Sequence, residues 1–281
     1  MKRVLTALVL IPIIVWVVVF AGFWPFLGVL VAVACLCYRE YDGIAAGFGF
    51  GAPGWIGYPL GLLILLPRPL RADLLPHLAG IGYPLGLLIL LRDDDATWLL
   101  IVLAALAAFV LAARDRDLAK SLPRAALLIA GVVYIFGCWK CALPLREINP
   151  HWLMYGLLLN WVGDIGAYYV GRSFGKHKMA PQISPKKSWE GAAASVVTSV
   201  LVAGAYLTHF VPTVSWPMAI ALTAAANAAG QAGDLAESAM KRGAGVKDSG
   251  TILPGHGGFL DRVDSTLFAL PVIYAWLRFT S

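Results

Sequence analysis

The chain has 281 residues, of which 59% are hydrophobic and only 14% are charged, and its net charge is +6. That much apolar surface exceeds what one soluble core of this length can bury, which excludes a soluble globular domain. The basic residues cluster between apolar runs, at 114–124, 172–187 and 241–247. This pattern is typical of cytoplasmic loops of a membrane protein and does not indicate nucleic-acid binding. We therefore predict an integral membrane protein that binds no nucleic acid.

The apolar runs are candidates for membrane-spanning helices, because a span needs about 20 mostly apolar residues. Lys2 and Arg3 precede the first run, and no convincing small-residue cleavage site follows it. We interpret that run as a membrane helix rather than a signal peptide. The runs lie near 4–22, 24–38, 97–113, 122–143, 151–171, 191–210, 215–237 and 260–278.

An 11-residue phrase, IGYPLGLLILL, occurs at 56–66 and again without change at 81–91. Each copy is short for a full span, and we assign the repeat no chemistry. If the basic N-terminus and the loop at 114–124 are both cytoplasmic, an even number of crossings separates them, so the two copies together supply one crossing. This predicts an all-α, polytopic transmembrane helical bundle with about nine spans. N-terminal transmembrane helices would occupy 1–121, and a C-terminal transmembrane catalytic region would occupy 122–281.

The run at 215–237 carries a polar stripe. Lipid cannot solvate a polar helix face, so the stripe either lines a wet cavity or supplies hydrogen bonds between helices. Its members fall at offsets of 0, 4, 7, 11 and 14, which places them on one face of a helix: Asn227, Gln231, Asp234, Ser238 and Lys241.

A polar, glycine-rich stretch runs from Asp234 to Asp264, and its 31 residues hold nine charged side chains. A charge at the centre of a spanning helix costs about 2.5–3.5 kcal/mol, so we expect chemistry or binding here. Asp234, Asp261 and Asp264 offer the hard oxygen ligands that Mg²⁺ prefers. Glycines allow backbone amides to approach a phosphate, and basic side chains neutralise it. The basic side chains, each of which could instead be a solvated anchor, are Lys241, Arg242, Lys247 and Arg262.

The run at 151–171 has its own polar face, formed by Asn160, Asp164 and Tyr168 at offsets of 0, 4 and 8. A basic loop follows, and it lacks the spacing of a P-loop. Ser188 at the end of that loop is suited to cap the next helix, with Glu190 in the first turn. The basic residues of the loop either anchor it to the lipid surface or bind phosphate: Arg172, Lys176, Lys178, Lys186 and Lys187.

The stretch from Ser238 to Asp264 resembles the signature of the phosphatidate cytidylyltransferases, also called CDP-diacylglycerol synthases. The segment 163–191 is similar to a second motif region of that family. The N-terminal half resembles the family only as a set of membrane helices, and the repeat departs from it. The matching signature positions are Ser238, Lys241, Arg242, Lys247, Asp248, Gly250, Pro254, His256, Gly257, Gly258, Asp261, Arg262 and Asp264.

The resemblance implies transfer of the cytidylyl group of CTP to phosphatidic acid, which gives CDP-diacylglycerol and pyrophosphate and requires a divalent metal. It implies that Asp234 and Asp261 hold a pair of Mg²⁺ ions. We add Asp264 as a ligand or a ligand-orienting group, and we place Lys241 and Arg262 on phosphates. The ionised lipid phosphate needs no general base. Further substrate contacts are expected from Ser238, Arg242, Lys247, Asp248, His256, Gly257, Gly258, Asp164 and Lys187.

Three alternatives were weighed against this hypothesis. A CDP-alcohol phosphotransferase would carry a DGxxAR-type motif, which is missing. A cytidylyltransferase acting on an isoprenoid ether lipid would have a similar site, and the sequence discriminates poorly against it. An ion-coupled transporter also carries buried polar stripes, but inverted repeats are not visible here. We expect a bacterial inner-membrane enzyme whose active site faces the cytoplasm, and we leave a homodimer open.

Overall fold

The computed structural model describes residues 2–50, 54–65, 97–112, 117–252 and 257–280. Within these ranges the chain is helical apart from turns and one two-stranded hairpin, so the predicted all-α class holds with one small exception. The helices and strands are α1 (Lys2–Val15), α2 (Phe23–Ala46), α3 (Gly57–Leu65), α4 (Thr97–Ala112), α5 (Ser121–Gly131), α6 (Cys138–Lys140), α7 (Ala142–Ile148), α8 (Pro150–Phe174), β1 (Lys178–Ala180), β2 (Ser184–Ser188), α9 (Trp189–Ser199), α10 (Ala205–Phe210), α11 (Trp216–Gly243) and α12 (Asp264–Thr280).

Short irregular helical segments join these elements. π-Helical segments extend α1 and connect α5 to α6 and α9 to α10, at Trp16–Phe20, Val132–Gly137 and Val200–Gly204. A 3-10 turn at Leu118–Lys120 precedes α5, and another at Leu260–Arg262 precedes α12. The last helix was expected to begin near residue 260. It begins at Asp264, so Asp261 lies in the 3-10 turn and outside the helix.

Three continuous helical stretches among the described residues are long and apolar enough to cross a membrane: Phe23–Ala46, Leu118–Ile148 and Trp189–Phe210. Shorter apolar helices lie at Val9–Phe20 and Ile101–Leu111. The chain is thus an integral membrane protein. The count of nine spans stays a prediction. The helices at three of the predicted runs, α8, α11 and α12, are not among these stretches, and the second copy of the repeat lies outside the described residues.

The first copy of the repeat forms α3, a short helix packed against α2 and the segment Val132–Gly137. Gly57 lies against the ring of Tyr38, and Gly61 lies against the ring of Phe136. A Cβ atom built at either glycine would come within 2.0 Å of its aromatic neighbour. The glycines of the repeat therefore allow a close approach between α3 and the helices beside it.

Arg146 on α7 ties the N-terminal helices to the rest of the bundle. Its Nε donates to the carbonyl oxygen of Val18 at 2.9 Å, and a second guanidinium nitrogen donates to Ala21. Its guanidinium also lies 4.5 Å from the centre of the Phe26 ring. These carbonyls belong to the segment where the chain leaves α1, so Arg146 satisfies backbone groups that the end of a helix exposes.

Small residues bring the C-terminal helices together. On α8, a Cβ atom at Gly163 would lie 2.6 Å from Ser195 Oγ, and one at Gly166 would lie 2.3 Å from Thr198 Oγ1. On α11, a Cβ atom at Gly230 would lie 2.5 Å from Asn160 Oδ1. Since each position accepts only hydrogen, α8 packs closely on α9, and α11 packs against α8 and α12.

The polar stripe of α11 bonds neighbouring helices and lines a cavity. Asn227 is buried, and its Nδ2 donates to Ser195 Oγ at 3.0 Å and to Ser199 Oγ at 2.9 Å. Gln231 donates to Asn227 Oδ1 at 2.6 Å. Asn227 thus supplies hydrogen bonds between helices, each worth about 0.6 kcal/mol in a membrane. Asn227 and Gln231 also line the cavity described below, together with Asp234 and Lys241 further along the stripe, so both interpretations of the stripe hold.

The basic loop after α8 folds as an antiparallel hairpin, which sequence analysis missed. β1 pairs with β2 with Lys178 opposite Ser188. Ser188 accepts a hydrogen bond from the amide of Gly191 at 3.2 Å, so the predicted cap of α9 is confirmed. Glu190 accepts from His177 Nδ1 at 2.6 Å and fastens the hairpin to the start of α9. The hairpin consequently holds its lysines over the end of the bundle.

Candidate active site

A polar cavity of about 820 Å³ lies where α8, the hairpin, α11 and the segment before α12 meet. It contains members of both motif regions identified in the sequence. Charged side chains of both signs line it: Asp164, Arg172, Lys178, Lys186, Lys187, Asp234, Lys241, Asp248, Asp261, Arg262 and Asp264. The two predicted polar regions therefore form one site.

Lys187 on β2 and Asp234 on α11 form an ion pair across the cavity. Their side chains are 28% and 30% exposed, so the pair is accessible from the cavity. Ser238, one turn further along α11, donates to the Asp234 carboxylate at 3.3 Å. Ser238 was predicted to bind substrate, and in the structure it orients Asp234.

Lys241 lies between two carboxylates. Its ammonium group contacts Asp261 Oδ1 at 2.5 Å and also pairs with Glu237 one turn earlier on α11. Glu237 is fully buried, and Lys241 is only 7% exposed. Sequence analysis did not single out Glu237, although a glutamate four residues before a lysine on a helix indicates such a pair. Lys241 therefore supplies positive charge at the base of the cavity.

Asp261 is held by the loop around it. The amide of Ser249 donates to both of its carboxylate oxygens, at 3.2 and 3.0 Å, and the amide of Gly258 donates at 2.8 Å. Burial alone would raise the pKa of Asp261, but the hydrogen bonds from Lys241 and these amides hold it below its ordinary value. These contacts orient the carboxylate of Asp261 and favour its ionised form.

Steric constraints explain why this loop has glycine at positions 257 and 258. Gly257 has φ of +79°, and a Cβ atom there would lie 2.8 Å from Asp261 Oδ2. A Cβ atom at Gly258 would lie 2.0 Å from Ser249 Oγ. Both glycines were predicted to contact a phosphate. In the structure they allow the backbone to close around the Asp261 carboxylate.

A second, mainly apolar groove of about 400 Å³ lies beside the cavity. Its apolar wall comes from α1, α2 and α8 and includes Val17, Phe26, Leu30, Leu153 and Leu157. No site was predicted in this N-terminal part of the chain. Six residues line both spaces: Asn160, Asp164, Asp261, Arg262, Asp264 and Ser265. We call these six residues the shared wall.

Other predicted site residues lie away from the centre of the cavity. Arg242 donates to the carbonyl oxygens of Ile183 and Val246, at 3.3 and 3.0 Å, and is not among the lining residues. Lys247 is exposed and does not line the cavity, whereas its neighbour Asp248 does. His256 lies outside the described residues.

The predicted metal ligands are Asp234, Asp261 and Asp264, and all three line the cavity. Across the described ranges, no three acidic, histidine or cysteine side chains converge closely enough to hold a metal ion by themselves. Mg²⁺, however, is usually held by one or two carboxylates, with waters and substrate phosphates completing its shell. Asp164, Asp234 and Asp264 line the same cavity and would repel one another if all were ionised, and a bound cation would offset that repulsion. The donor set therefore fits a hard divalent cation.

Comparison with known proteins identifies the family of this chain. The sequence model described as "Cytidylyltransferase family" matches residues 1–280, and the chain belongs to that family. The resemblance inferred from the signature is thus confirmed. Similar curated proteins include the phosphatidate cytidylyltransferase of Bacillus subtilis, 40% identical over 152 residues, and that of Staphylococcus haemolyticus, 40% identical over 149 residues. These matches cover 53% of this chain and 56% and 57% of the relatives, so the chain spans little more than half of their length.

Proposed function

We propose that the protein transfers the cytidylyl group of CTP to phosphatidic acid, giving CDP-diacylglycerol and pyrophosphate. The observation that carries the proposal is the shared wall. It separates a charged cavity from an apolar groove, and Asp261, Arg262 and Asp264 face both. An enzyme that joins a nucleotide to a lipid phosphate needs one space of each kind at the point of reaction.

The cavity suits the triphosphate of CTP. Lysine and arginine side chains from the hairpin, α8 and the segment before α12 reach it, and such groups bind phosphate oxygens with charge-assisted hydrogen bonds. Lys187 and Lys241 are paired with aspartates. Among the described residues, the other basic side chains that line the cavity and can meet the nucleotide are Arg172, Lys178, Lys186 and Arg262.

The groove suits the acyl chains of phosphatidic acid. Its apolar wall would cover aliphatic chains, and each methylene group removed from water contributes about 0.8 kcal/mol. The polar end of the groove is the shared wall, where Arg262 can meet the lipid phosphate. A lipid bound in this way places its headgroup against the nucleotide.

In the reaction, an oxygen of the lipid phosphate forms a bond to the α-phosphorus of CTP. The bond from that phosphorus to the bridging oxygen of the β-phosphate breaks, and pyrophosphate leaves with the electron pair. The lipid phosphate is already ionised near neutral pH, so no side chain has to remove a proton. The protein contributes positioning and charge neutralisation, which dominate phosphoryl-type transfers.

Asp234 and Asp261 are the residues that would hold Mg²⁺, with Asp264 as a further ligand or an orienting group. When bound, Mg²⁺ supplies positive charge to the attacking and leaving oxygens. Asp261 is prepared for this role because the amides of Ser249 and Gly258 fix its carboxylate. Lys187 and Lys241 balance the charge of these aspartates in the structure described here. We propose that this site binds two Mg²⁺ ions.

We further propose that the cavity opens on the cytoplasmic side of a bacterial inner membrane, in a bundle of about nine spans. The positive-inside rule supports this orientation, since Lys178, Lys186 and Lys187 all lie on the hairpin at the cavity. The homodimer stays an expectation.

The test supplies the purified full-length protein with Mg²⁺, phosphatidic acid and CTP labelled at the α-phosphate. We expect a labelled lipid, and none when diacylglycerol replaces phosphatidic acid, because the acceptor phosphate is then missing. A parallel series with an isoprenoid ether lipid phosphate separates the two lipid classes. Preferred use of the ether lipid would contradict phosphatidic acid as the acceptor, and no labelled lipid from any acceptor would contradict the proposed reaction.

Variants connect that activity with the site. Asp234→Asn and Asp261→Asn should abolish turnover and leave expression and folding intact. Asp117→Asn is the matched control, because Asp117 caps the turn before α5 and asparagine caps equally well. Near-normal activity in both site variants would contradict the metal assignment.

A further inference from the structure

Glu40 on α2 is a buried carboxylate that contacts the signature loop, although it lies more than 200 residues away in sequence. It is 5% exposed. Its oxygens accept hydrogen bonds from the amide of Phe259 at 2.9 Å, the amide of Leu260 at 2.7 Å and the hydroxyl of Ser249 at 2.9 Å. Neither the family signature nor the sequence analysis includes Glu40.

These contacts provide hydrogen-bond acceptors for the backbone amides at the start of the 3-10 turn that carries Asp261. The first amides of a helical turn have no partner within the turn, and they favour a negative charge beside them. Here a carboxylate from another helix accepts hydrogen bonds from the amides of Phe259 and Leu260. The fit is tight, because a Cβ atom at Gly250 or Gly258 would lie 2.5 Å from a Glu40 oxygen.

Ser249 links Glu40 to Asp261. Its hydroxyl donates to Glu40 and accepts from the amide of Asp261 at 3.3 Å. Its own amide donates to the Asp261 carboxylate at 3.0 Å. Glu40 therefore fixes both the turn before Asp261 and the residue that orients the Asp261 side chain.

We propose that Glu40 is a positioning residue of the reaction: it anchors the signature loop to α2 and thereby holds Asp261 in its working orientation. This inference rests on the proposed function. Glu40 does not line the cavity, so it acts through Ser249 and the Phe259–Leu260 backbone. A displacement of about 1 Å at a reacting centre can cost on the order of 100-fold in rate, which is enough to make such an anchor necessary.

The test compares Glu40→Gln with the wild type in the full-length protein. Glutamine keeps the shape of the side chain but presents an NH₂ group to donors that need an acceptor. We expect hydrogen exchange at the amides of Phe259 and Leu260 to become faster, and kcat to fall about 10- to 100-fold with little change in the KM for CTP. Glu147→Gln is the matched control, because Glu147 is exposed, does not line the cavity and undergoes the same chemical change.

Ser249→Ala provides a second variant if Glu40→Gln does not fold. It removes one donor to Glu40 and the hydroxyl that accepts from the Asp261 amide, and it leaves the contacts of Glu40 with the amides of Phe259 and Leu260. We therefore expect a smaller increase in exchange at those two amides than in Glu40→Gln. Unchanged exchange in the folded variants, or faster exchange with unchanged kcat, would overturn the role of Glu40. A wild-type protein that makes no labelled lipid would contradict the proposed function instead, so the two failures are distinguishable.

Discussion

Lys187 and Asp234 come from the two separate motif regions and meet as an ion pair in the cavity. The β1–β2 hairpin makes this possible, because it carries Lys187 from the end of α8 across to α11. A basic hairpin that only contacts the membrane surface would have no reason to reach an aspartate of α11. The pair indicates that the hairpin is part of the site.

Lys187→Ala should reduce kcat/KM for CTP about 10- to 100-fold, because it removes a positive charge next to Asp234 and loosens the hairpin. Its effect on stability should be small, since ion pairs with this exposure contribute about 0–1 kcal/mol. Steady-state kinetics and thermal unfolding measure the two effects. Lys120→Ala, which breaks the more exposed pair with Asp117, is the control and should change neither. An equal loss of kcat/KM in Lys187→Ala and Lys120→Ala would contradict a specific role of Lys187.

Lys241→Met should destabilise the fold by about 3–5 kcal/mol, because it leaves the buried Glu237 and the half-buried Asp261 without their counter-charge. Adding Glu237→Gln should recover part of that stability, since it removes one of the two uncompensated charges. It should not recover turnover, because the positive charge is still missing. Unfolding of the single and double variants in detergent measures the coupling. If the stability changes of the two single variants simply add in the double variant, Glu237 and Lys241 do not interact as described.

Gly163→Ala should destabilise the protein by about 1–3 kcal/mol, because the added methyl group collides with Ser195, Ser199 and Asn227 between helices. Gly28→Ala on α2 has open space around it. That control should instead stabilise the helix, by about 0.8–1 kcal/mol. Thermal unfolding of both variants tests the packing, and equal tolerance at the two positions would show that α8 and α9 are further apart than described.

Val17→Trp should fill part of the apolar groove. We expect a higher KM for long-chain phosphatidic acid and little change with a short-chain analogue, because only long chains reach that part of the groove. Phe20→Trp, at a position that is 72% exposed, is the control. A similar rise in KM with the long-chain and the short-chain lipid would contradict the placement of the acyl chains in the groove.

Much of the site was predictable because its residues lie in two motif regions with specific spacing. The sequence placed Asp234 and Lys241 on one helix face, and the structure shows both at the cavity. Glu40 was missed because its contacts arise only when α2 packs against a loop more than 200 residues later. The sequence around Glu40 carries little signal, because Glu40 lies between Arg39 and Asp42 after the apolar run of α2, where charged residues are common.

The hairpin and the groove were missed for different reasons. Strands of three and five residues in a lysine-rich segment carry no clear alternation of apolar and polar residues. Their sequence therefore indicates a loop rather than strands. The groove is built from apolar side chains of α1, α2 and α8, which look like any lipid-facing surface until the helices are placed together. The number of spans stays a prediction, because the polar residues of α8 and α11 and the shortness of α12 keep these helices out of the stretches that are long and apolar enough to cross a membrane.

The most direct measurement is an experimental structure of the protein with phosphatidic acid and a non-hydrolysable CTP analogue bound together. We predict the acyl chains in the groove beside Val17 and Leu157, the triphosphate in the cavity, and the lipid phosphate next to the α-phosphate at Asp261 and Arg262. A lipid bound outside the groove, or a nucleotide bound away from this wall, would contradict the account.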